Sequence, residues 1–170
     1  KEIVASISKG LRAGKAFPED LEQLKAIFRN PGLQMISFTI TEKGYALQNI
    51  QGEFFPFVLA DFDNGPANCG HAMSMVTALL YERFNSCAAP LAVVSMDNCS
   101  HNGEKLRSSI LTVAEKWLEK GHVSDAFVAW VKDEAQVSFP WSMIDKITPR
   151  PAKVVEEALA AAGIEDMAPV

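Results

Sequence analysis

The sequence lacks a long apolar run, an excess of basic residues and the high cysteine content of a disulfide-stapled fold. No stretch approaches the roughly 20 consecutive apolar residues of a membrane-spanning helix. Its 16 basic and 21 acidic residues give a net charge of −5. An extended phosphate-binding face is therefore not expected, and nucleic acid is a poor candidate partner. The first residues, KEIVASISKGLRAGKAF, contain neither the apolar core nor the cleavage site of a signal peptide, so the cytoplasm is the expected location.

The few cysteines argue against a disulfide framework. Cys69, Cys87 and Cys99 stand at unrelated spacings, which is typical of reduced, mostly buried thiols. A metal alternative stays open, because Cys69 and His71 together with Cys99 and His101 offer four ligands of kinds that zinc accepts. Zinc ligands more often follow CxxC or HxxxH spacing. We therefore predict no metal site.

The sequence contains an alternation of helical and strand patterns. At 170 residues, 48% hydrophobic and 22% charged, it is long enough for one domain with a substantial core. The segments MISFTI (35–40) and LAVVSM (91–96) are apolar on both faces, as central strands are. Helices are predicted along the apolar stripe of 3–11, from Pro18 to the NPG break at 30–32, over 67–84, along the stripe of 106–117, after Ser124, and from 151 or 152 to 162.

Two long stretches show neither pattern. Residues 41–66 have no clear helical period and are expected to form a long loop that has a function or covers a site. Residues 137–151 contain Pro140, Pro149 and Pro151 and are expected to be extended or irregular. The alternation in the rest of the chain predicts an α/β fold with a parallel sheet.

Polar side chains follow both predicted strands. Thr41 and Glu42 come after the first strand, and Asp97 and Asn98 come after the second. In open α/β sheets ligands bind beyond the carboxyl ends of the strands, so this pattern predicts a site. The alternative is structural: Asp97, Asn98 and Asn102 are common turn and helix-cap residues. The doubling of the pattern at two strand ends favours the site.

Three motifs resemble a known family. SFTITEKGYAL, SMDNCSHNG and FPWSMIDKITP are similar, in the same order and at closely matching spacings, to SLTITEGGY, SCDNLPHNG and FPNxMVDRITP of the long-chain mannitol dehydrogenase and fructuronate reductase family of polyol-specific dehydrogenases. The resemblance covers roughly residues 1–151. It implies the second half of a Rossmann-like parallel sheet with helices on both faces, lacking the N-terminal Gly-rich mononucleotide half. Residues 1–150 would then be a partial cofactor-binding domain, and 151–170 the start of a C-terminal helical domain or a linker helix.

The resemblance also implies roles for single residues. Asn98 matches the asparagine that stabilises the substrate oxygen as it becomes an alkoxide, a task suited to a neutral amide. Thr41, Glu42 and Asp145 match positions beside the NAD cofactor. In structural terms, Glu42 is equally typical of a solvated charge in a turn.

Three more predicted site residues follow from the SMDNCSHNG motif. Asp97, His101 and Asn102 match positions in the substrate-pocket loop, which they are expected to shape rather than to react from. Asp145 has its own structural alternative, a surface ion pair with Lys146 or Arg150.

The chain also departs from the family. No G-x-G-x-x-G run occurs in it, and the family's catalytic lysine domain has no counterpart here. We therefore expect an internal fragment with little dehydrogenase activity alone and weak affinity for NAD. The parent would interconvert a sugar alcohol or aldonate with its ketose or keto-uronate. Met96, Cys99-Ser100 and Trp141-Ser142 differ from the usual motif residues and leave the substrate open.

Two other classes of function remain. A non-catalytic α/β binding module would leave the three ordered motifs a coincidence. A metal-dependent hydrolase could use Asp97, His101 and Asp145, but it would need a further ligand cluster. We expect a small polyol or keto-sugar as partner, no nucleic acid and no membrane. An open sheet edge would also allow copies of the chain to pair.

Overall fold

The computed structural model describes residues 7–144 and 153–163 of the chain. The chain divides into two compact units, Leu11–Ile144 and a second unit of Lys1–Gly10 with Asp145–Val170. No described helix is both long enough and apolar enough to cross a membrane. In the larger unit the elements are α1 (Pro18–Arg29), β1 (Met35–Phe38), a 3-10 turn (Glu42–Tyr45), α2 (Pro56–Asn64), α3 (Ala72–Ser86), β2 (Leu91–Ser95), α4 (Asn102–Glu119), α5 (Asp125–Lys132) and β3 (Val137–Ser138); in the smaller unit Lys153–Ala161 forms α6.

The sheet of the larger unit is parallel, as predicted. Its order is β1-β2-β3, with Ser37 opposite Val94 and Leu91 opposite Val137. One face of the sheet packs into the core, where Val93 and Val137 are fully buried. On the other face Met35 of β1 is 59% exposed. The α/β class with a parallel sheet is thus confirmed.

The longest helix shows why the apolar stripe predicts this fold well. Leu106, Ile110, Val113 and Trp117 of α4 are each fully buried. They recur every three or four residues, so one face of α4 enters the core while the other faces solvent. Ser124 caps α5 by accepting a hydrogen bond from the amide of Phe127, as its position before that helix predicts.

A buried arginine fastens the amino end of the sheet. Arg83 of α3 is fully buried and has no carboxylate partner among the described residues. Its guanidinium donates instead to five backbone carbonyls that precede β1 and β2. We call this group the Arg83 cluster: the carbonyls are those of Phe28, Asn30, Leu33, Ala89 and Pro90, at 2.7–3.1 Å.

Two predictions about the first 70 residues are wrong in part. The helix predicted over 3–11 is not present at residues 7–11, and Ile3 and Val4 lie outside the described residues. Ile7 is 84% exposed, and a short amphipathic helix without a packed apolar face is not stable. The segment 41–66 is not a loop throughout, since it contains the 3-10 turn and α2.

The helix α2 lacks an obvious apolar period because its apolar residues lie on more than one face. Val58 and Phe62 are buried, whereas Phe57 is 55% and Leu59 is 47% exposed. Its start follows the rule that proline favours the first helical turn, here at Pro56.

Boundaries elsewhere shift by a few residues. The helix predicted from 67 begins at Ala72, because Asp61 accepts hydrogen bonds from the amides of Gly70 and His71 and holds a turn there. The segment predicted as extended or irregular includes the short strand β3, and 145–151 of it lie outside the described residues. The last predicted helix is confirmed as α6.

Candidate functional site

The carboxyl ends of β1 and β2 are joined by one carboxylate. Asp97 Oδ2 accepts a hydrogen bond from the amide of Ile40, and Oδ1 accepts one from the amide of Thr41, both at 2.9 Å. The Tyr45 hydroxyl donates to Asp97 Oδ2 at 2.5 Å and also contacts Ser95 Oγ at 2.8 Å. We call Asp97, Tyr45 and the two amides the Asp97 clasp. It fixes the turn after β1 to the turn after β2.

Electrostatics agree with an ionised Asp97. Partial burial acts to raise the pKa of Asp97, but the hydrogen bonds from Tyr45, Ile40 and Thr41 outweigh it and hold the pKa below its usual value. For Tyr45, burial and the neighbouring Asp97 carboxylate raise the pKa of the hydroxyl. Tyr45 therefore stays protonated and serves as a donor to the carboxylate.

The residue held by the clasp has an unusual backbone. Thr41 has φ 65° and ψ 160°, a region that is essentially restricted to glycine and costs a side-chain-bearing residue about 1–3 kcal/mol. Immediately after it, Glu42 starts the 3-10 turn and forms an ion pair with Lys105 in the first turns of α4. Strain of this kind is concentrated at functional sites, because the surrounding structure must impose it.

A second polar link ties the start of α4 to the segment after β3. The Asn102 side chain is buried; its Nδ2 donates to Ser142 Oγ at 2.8 Å, and its Oδ1 accepts from the Ser142 amide at 3.1 Å. The Ser142 hydroxyl in turn donates to the carbonyl of Ser95 at the end of β2. Asn102 is therefore fully engaged within the protein.

The neighbours of Asn102 in the HNG sequence complete this link. A Cβ atom on Gly103 would lie 2.5 Å from the carbonyl oxygen of Phe139 and 2.8 Å from that of Pro140, so only glycine admits this close passage of chain. His101 adopts the left-handed conformation with φ 55°. Its ring packs against that of Trp141 at 4.6 Å between centroids.

Asn98 differs from these residues because it is free. It lies in the turn directly after β2, is exposed, and within the described part of the chain has no hydrogen bond from its side chain. The loop on either side of it is anchored through Asp97 and Asn102. This combination presents an unsatisfied amide on a fixed backbone at the carboxyl edge of the sheet.

The predicted site residues therefore divide into groups. Asn98, Glu42 and His101 are exposed, whereas the side chains of Asp97 and Asn102 bind other parts of the protein. Thr41 contributes through its backbone. The predicted cofactor residue Asp145 lies outside the described residues.

A groove runs from this edge along α4. Its volume is about 680 Å³, and its walls are the 3-10 turn, the residues that follow it, and one side of α4. Glu42 and His101 lie at its wall together with Gln48, Glu104 and Lys105, but Asn98 does not. The groove thus adjoins only part of the predicted site.

The metal alternatives find no support in the geometry. Among residues 7–144 and 153–163, no three histidine, cysteine or acidic side chains come together in a way that could hold an ion. Cys69 is buried, and burial raises the pKa of its thiol to about 11. Of the hydrolase candidates, Asp97 is occupied by the clasp and Asp145 lies outside the described residues.

Sequence reasoning missed two residues of this edge, Tyr45 and Ser142. Tyr45 stands within the TEKGY stretch, so a motif signal was present, but its bond to Asp97 spans 52 residues of sequence. Ser142 was noticed only as a departure from the family motif. Its link to Asn102, 40 residues away, emerges only in the folded chain.

A parallel sheet with crossover helices and polar groups at its carboxyl edge is the arrangement of doubly wound α/β domains, the class to which Rossmann-type domains belong. The family model of the mannitol dehydrogenase Rossmann domain matches residues 2–170, and the chain belongs to this family.

Named relatives agree with this assignment. A D-mannonate oxidoreductase of Thermotoga maritima is 47% identical over 98% of this chain, and a mannitol 2-dehydrogenase of Cereibacter sphaeroides is 34% identical over 83% of it. The crystal structure of a D-sorbitol dehydrogenase in substrate-free form superimposes with a TM-score of 0.66 at 29% identity, over 88% of this chain. The chain spans 30%, 28% and 30% of the lengths of these three proteins.

Proposed function

We propose that the chain supplies the nicotinamide-side half of the cofactor domain of an NAD-dependent oxidoreductase. The enzyme would interconvert a sugar alcohol or aldonate with its ketose or keto-uronate. The observation that carries this proposal is the free amide of Asn98, exposed directly after β2 on a loop that Asp97 and Asn102 anchor. The named activities of the relatives support the substrate class.

Asn98 has the chemistry that this reaction requires of the protein. Its side-chain N–H groups can donate to the substrate oxygen as that oxygen gains negative charge, and the neutral amide does so without titrating. The anchored loop keeps the amide in place, so little reorganisation accompanies the reaction. When bound, the nicotinamide carries the hydride.

The other site residues take supporting roles in this proposal. Thr41, Glu42 and Asp145 would lie on the cofactor side, and the accessible side chain of His101 would line the substrate pocket. The carboxylate of Glu42 could accept hydrogen bonds from the ribose hydroxyls of a nicotinamide nucleotide. A G-x-G-x-x-G turn for the pyrophosphate does not occur in the 170 residues.

The proposed function includes a domain organisation for the chain. Residues 1–150 would belong to the cofactor domain and 151–170 to the start of a helical domain or a linker. Because the family's base is a lysine outside these motifs, the 170 residues alone would bind NAD weakly and turn over little substrate.

The free thiols Cys69, Cys87 and Cys99 support a cytoplasmic location.

The decisive experiment compares Asn98→Ala with Asn85→Ala. Asn85 is an exposed asparagine on α3 with no hydrogen bond among the described residues, which makes it a matched control. In the full-length protein that contains this chain, Asn98→Ala should lower kcat for oxidation of a polyol panel by about 10² or more. Asn85→Ala should leave kcat unchanged. The affinity of both variants for NAD should be measured by calorimetry as well.

Two results would refute the proposal. If the full-length protein neither binds NAD nor turns over any polyol or keto-uronate, the chain is better explained as a non-catalytic binding module. If it is active and Asn98→Ala turns over as fast as Asn85→Ala, the amide has no role in the reaction.

A further inference from the structure

We propose that Asp97 and Tyr45 are positioning residues, which act by imposing the strained backbone of Thr41 and thereby fix Glu42 at the cofactor side. The inference rests on the proposed function, because it is there that Glu42 is assigned to the cofactor. Neither side chain needs to touch a ligand for this role.

The Asp97 carboxylate is occupied by hydrogen-bond donors of the protein itself. Its two oxygens accept three hydrogen bonds, two from the consecutive amides of Ile40 and Thr41 and one from the hydroxyl of Tyr45. All three donors belong to the segment after β1. A residue from the turn after β2 thus determines the course of the loop after β1.

The positioning role of Asp97 requires a carboxylate. An asparagine in place of Asp97 has one acceptor oxygen and one NH₂ group, so at least one of the three donors would face another donor. The Tyr45 ring is buried, only 2% exposed, and its hydroxyl lies between Asp97 and Ser95. The hydroxyl is therefore held from both sides, and phenylalanine would remove the donor while keeping the ring.

The Asp97 clasp is connected to Glu42 through the backbone of Thr41. The backbone of Thr41 takes a conformation that L-residues rarely adopt, and two amides held on one carboxylate oppose its relaxation. Glu42 is the next residue, and its carboxylate pairs with Lys105 across the gap to α4. A relaxed Thr41 would rotate the following peptide and move Glu42 away from α4.

The first test measures the turn without any ligand. In the chain, Tyr45→Phe should speed hydrogen exchange at the Thr41 amide by about tenfold or more, since that amide then opens more often. Tyr81→Phe is the control, because Tyr81 is the only other tyrosine and its hydroxyl has no hydrogen bond among the described residues. Equal exchange at Thr41 in the two variants would overturn the inference.

The second test uses a rescue. Glycine adopts the backbone of Thr41 without strain, so a Thr41→Gly chain needs the clasp less. Asp97→Asn should therefore increase exchange at residue 41 several-fold less in a Thr41→Gly background than in the original sequence. Identical effects in both backgrounds would show that Asp97 does not act through the strain at Thr41.

The third test separates this inference from the proposed function. In the full-length protein, Asp97→Asn and Glu42→Gln should each raise KM for NAD about fivefold or more with a smaller change in kcat, and the double variant should show no further rise. An unmutated protein that does not bind NAD overturns the proposed function and, with it, the role of Glu42. A protein that binds NAD with the same KM in all variants overturns only the positioning role.

Discussion

The two ends of the parallel sheet are fastened by charges of opposite sign. At the amino end the Arg83 cluster places a fully buried cation among five carbonyl oxygens. At the carboxyl end the Asp97 clasp places an anion against two amides and a hydroxyl. Each charge binds the backbone groups of opposite polarity, so both ends are satisfied without an ion pair.

The two ends differ in which side chains remain exposed to solvent. At the amino end the described side chains around Arg83 leave its guanidinium no contact with solvent. At the carboxyl end the anchored loops leave Asn98, Glu42 and His101 exposed. The amino end is therefore closed around its charge, whereas the carboxyl end combines fixed loops with exposed side chains. The comparison can be tested by weakening each end separately.

The largest effect is expected at the amino end. Arg83→Met would leave five backbone carbonyls without this donor, and the free energy of unfolding should fall by about 3–5 kcal/mol. Arg107→Met is the control, because Arg107 makes one long hydrogen bond to the carbonyl of Lys132 and its Nε has no partner. Urea unfolding of both variants measures the difference. Similar midpoints would mean that the Arg83 cluster contributes little.

A smaller effect is expected where the chain crosses the start of α4. Gly103→Ala would place a methyl group 2.5 Å from the carbonyl oxygen of Phe139, and the resulting shift should cost about 2–3 kcal/mol. Gly70→Ala is the control, since the nearest atom to its added Cβ would be Asp61 Oδ1 at 3.9 Å. Thermal unfolding should show a lower Tm for Gly103→Ala only. Equal values would mean that the crossing segment moves aside easily.

The smallest effect is a pH-dependent one at the clasp. Because the pKa of Asp97 is lowered in the fold, its contribution to stability is present above the unfolded pKa of about 3.9 and is lost as the pH falls through the folded pKa. Asp97→Asn should cost about 1–2 kcal/mol at pH 7. The difference in the free energy of unfolding between the original sequence and Asp97→Asn, measured by urea unfolding, should narrow below about pH 4. A gap that stays constant would show that the carboxylate charge is not what stabilises the clasp.

Local patterns predict those parts of the fold that local physics determines. The buried stripe of α4 and the cap at Ser124 follow from spacing and from hydrogen bonds over three residues. The helix α2 could not be predicted in this way, because Phe57 and Leu59 are exposed although they are apolar. The helix predicted near Ile7 is wrong for the opposite reason. The apolar stripe is present in the sequence, but the side chain of Ile7 does not pack against the rest of the protein.

The same distinction holds for the site. Motifs indicated Asn98, Asp97 and Asn102, but they could not show which parts of the protein the last two bind. That outcome depends on Tyr45 and Ser142, which reach the edge from 52 and 40 residues away in sequence. Contacts of that range follow from the assembled sheet and not from any local pattern.

The contact between Trp141 and His101 gives this edge an intrinsic fluorescent reporter. Trp117 is fully buried and Trp130 is 7% exposed, whereas Trp141 is 62% exposed. The two buried indoles emit at shorter wavelengths and are shielded from added quenchers, so iodide or acrylamide should act first on Trp141. A molecule that settles near His101 would change that quenching and the red side of the emission spectrum. Occupancy of this edge can therefore be followed by fluorescence in the unlabelled chain, before any substrate has been identified.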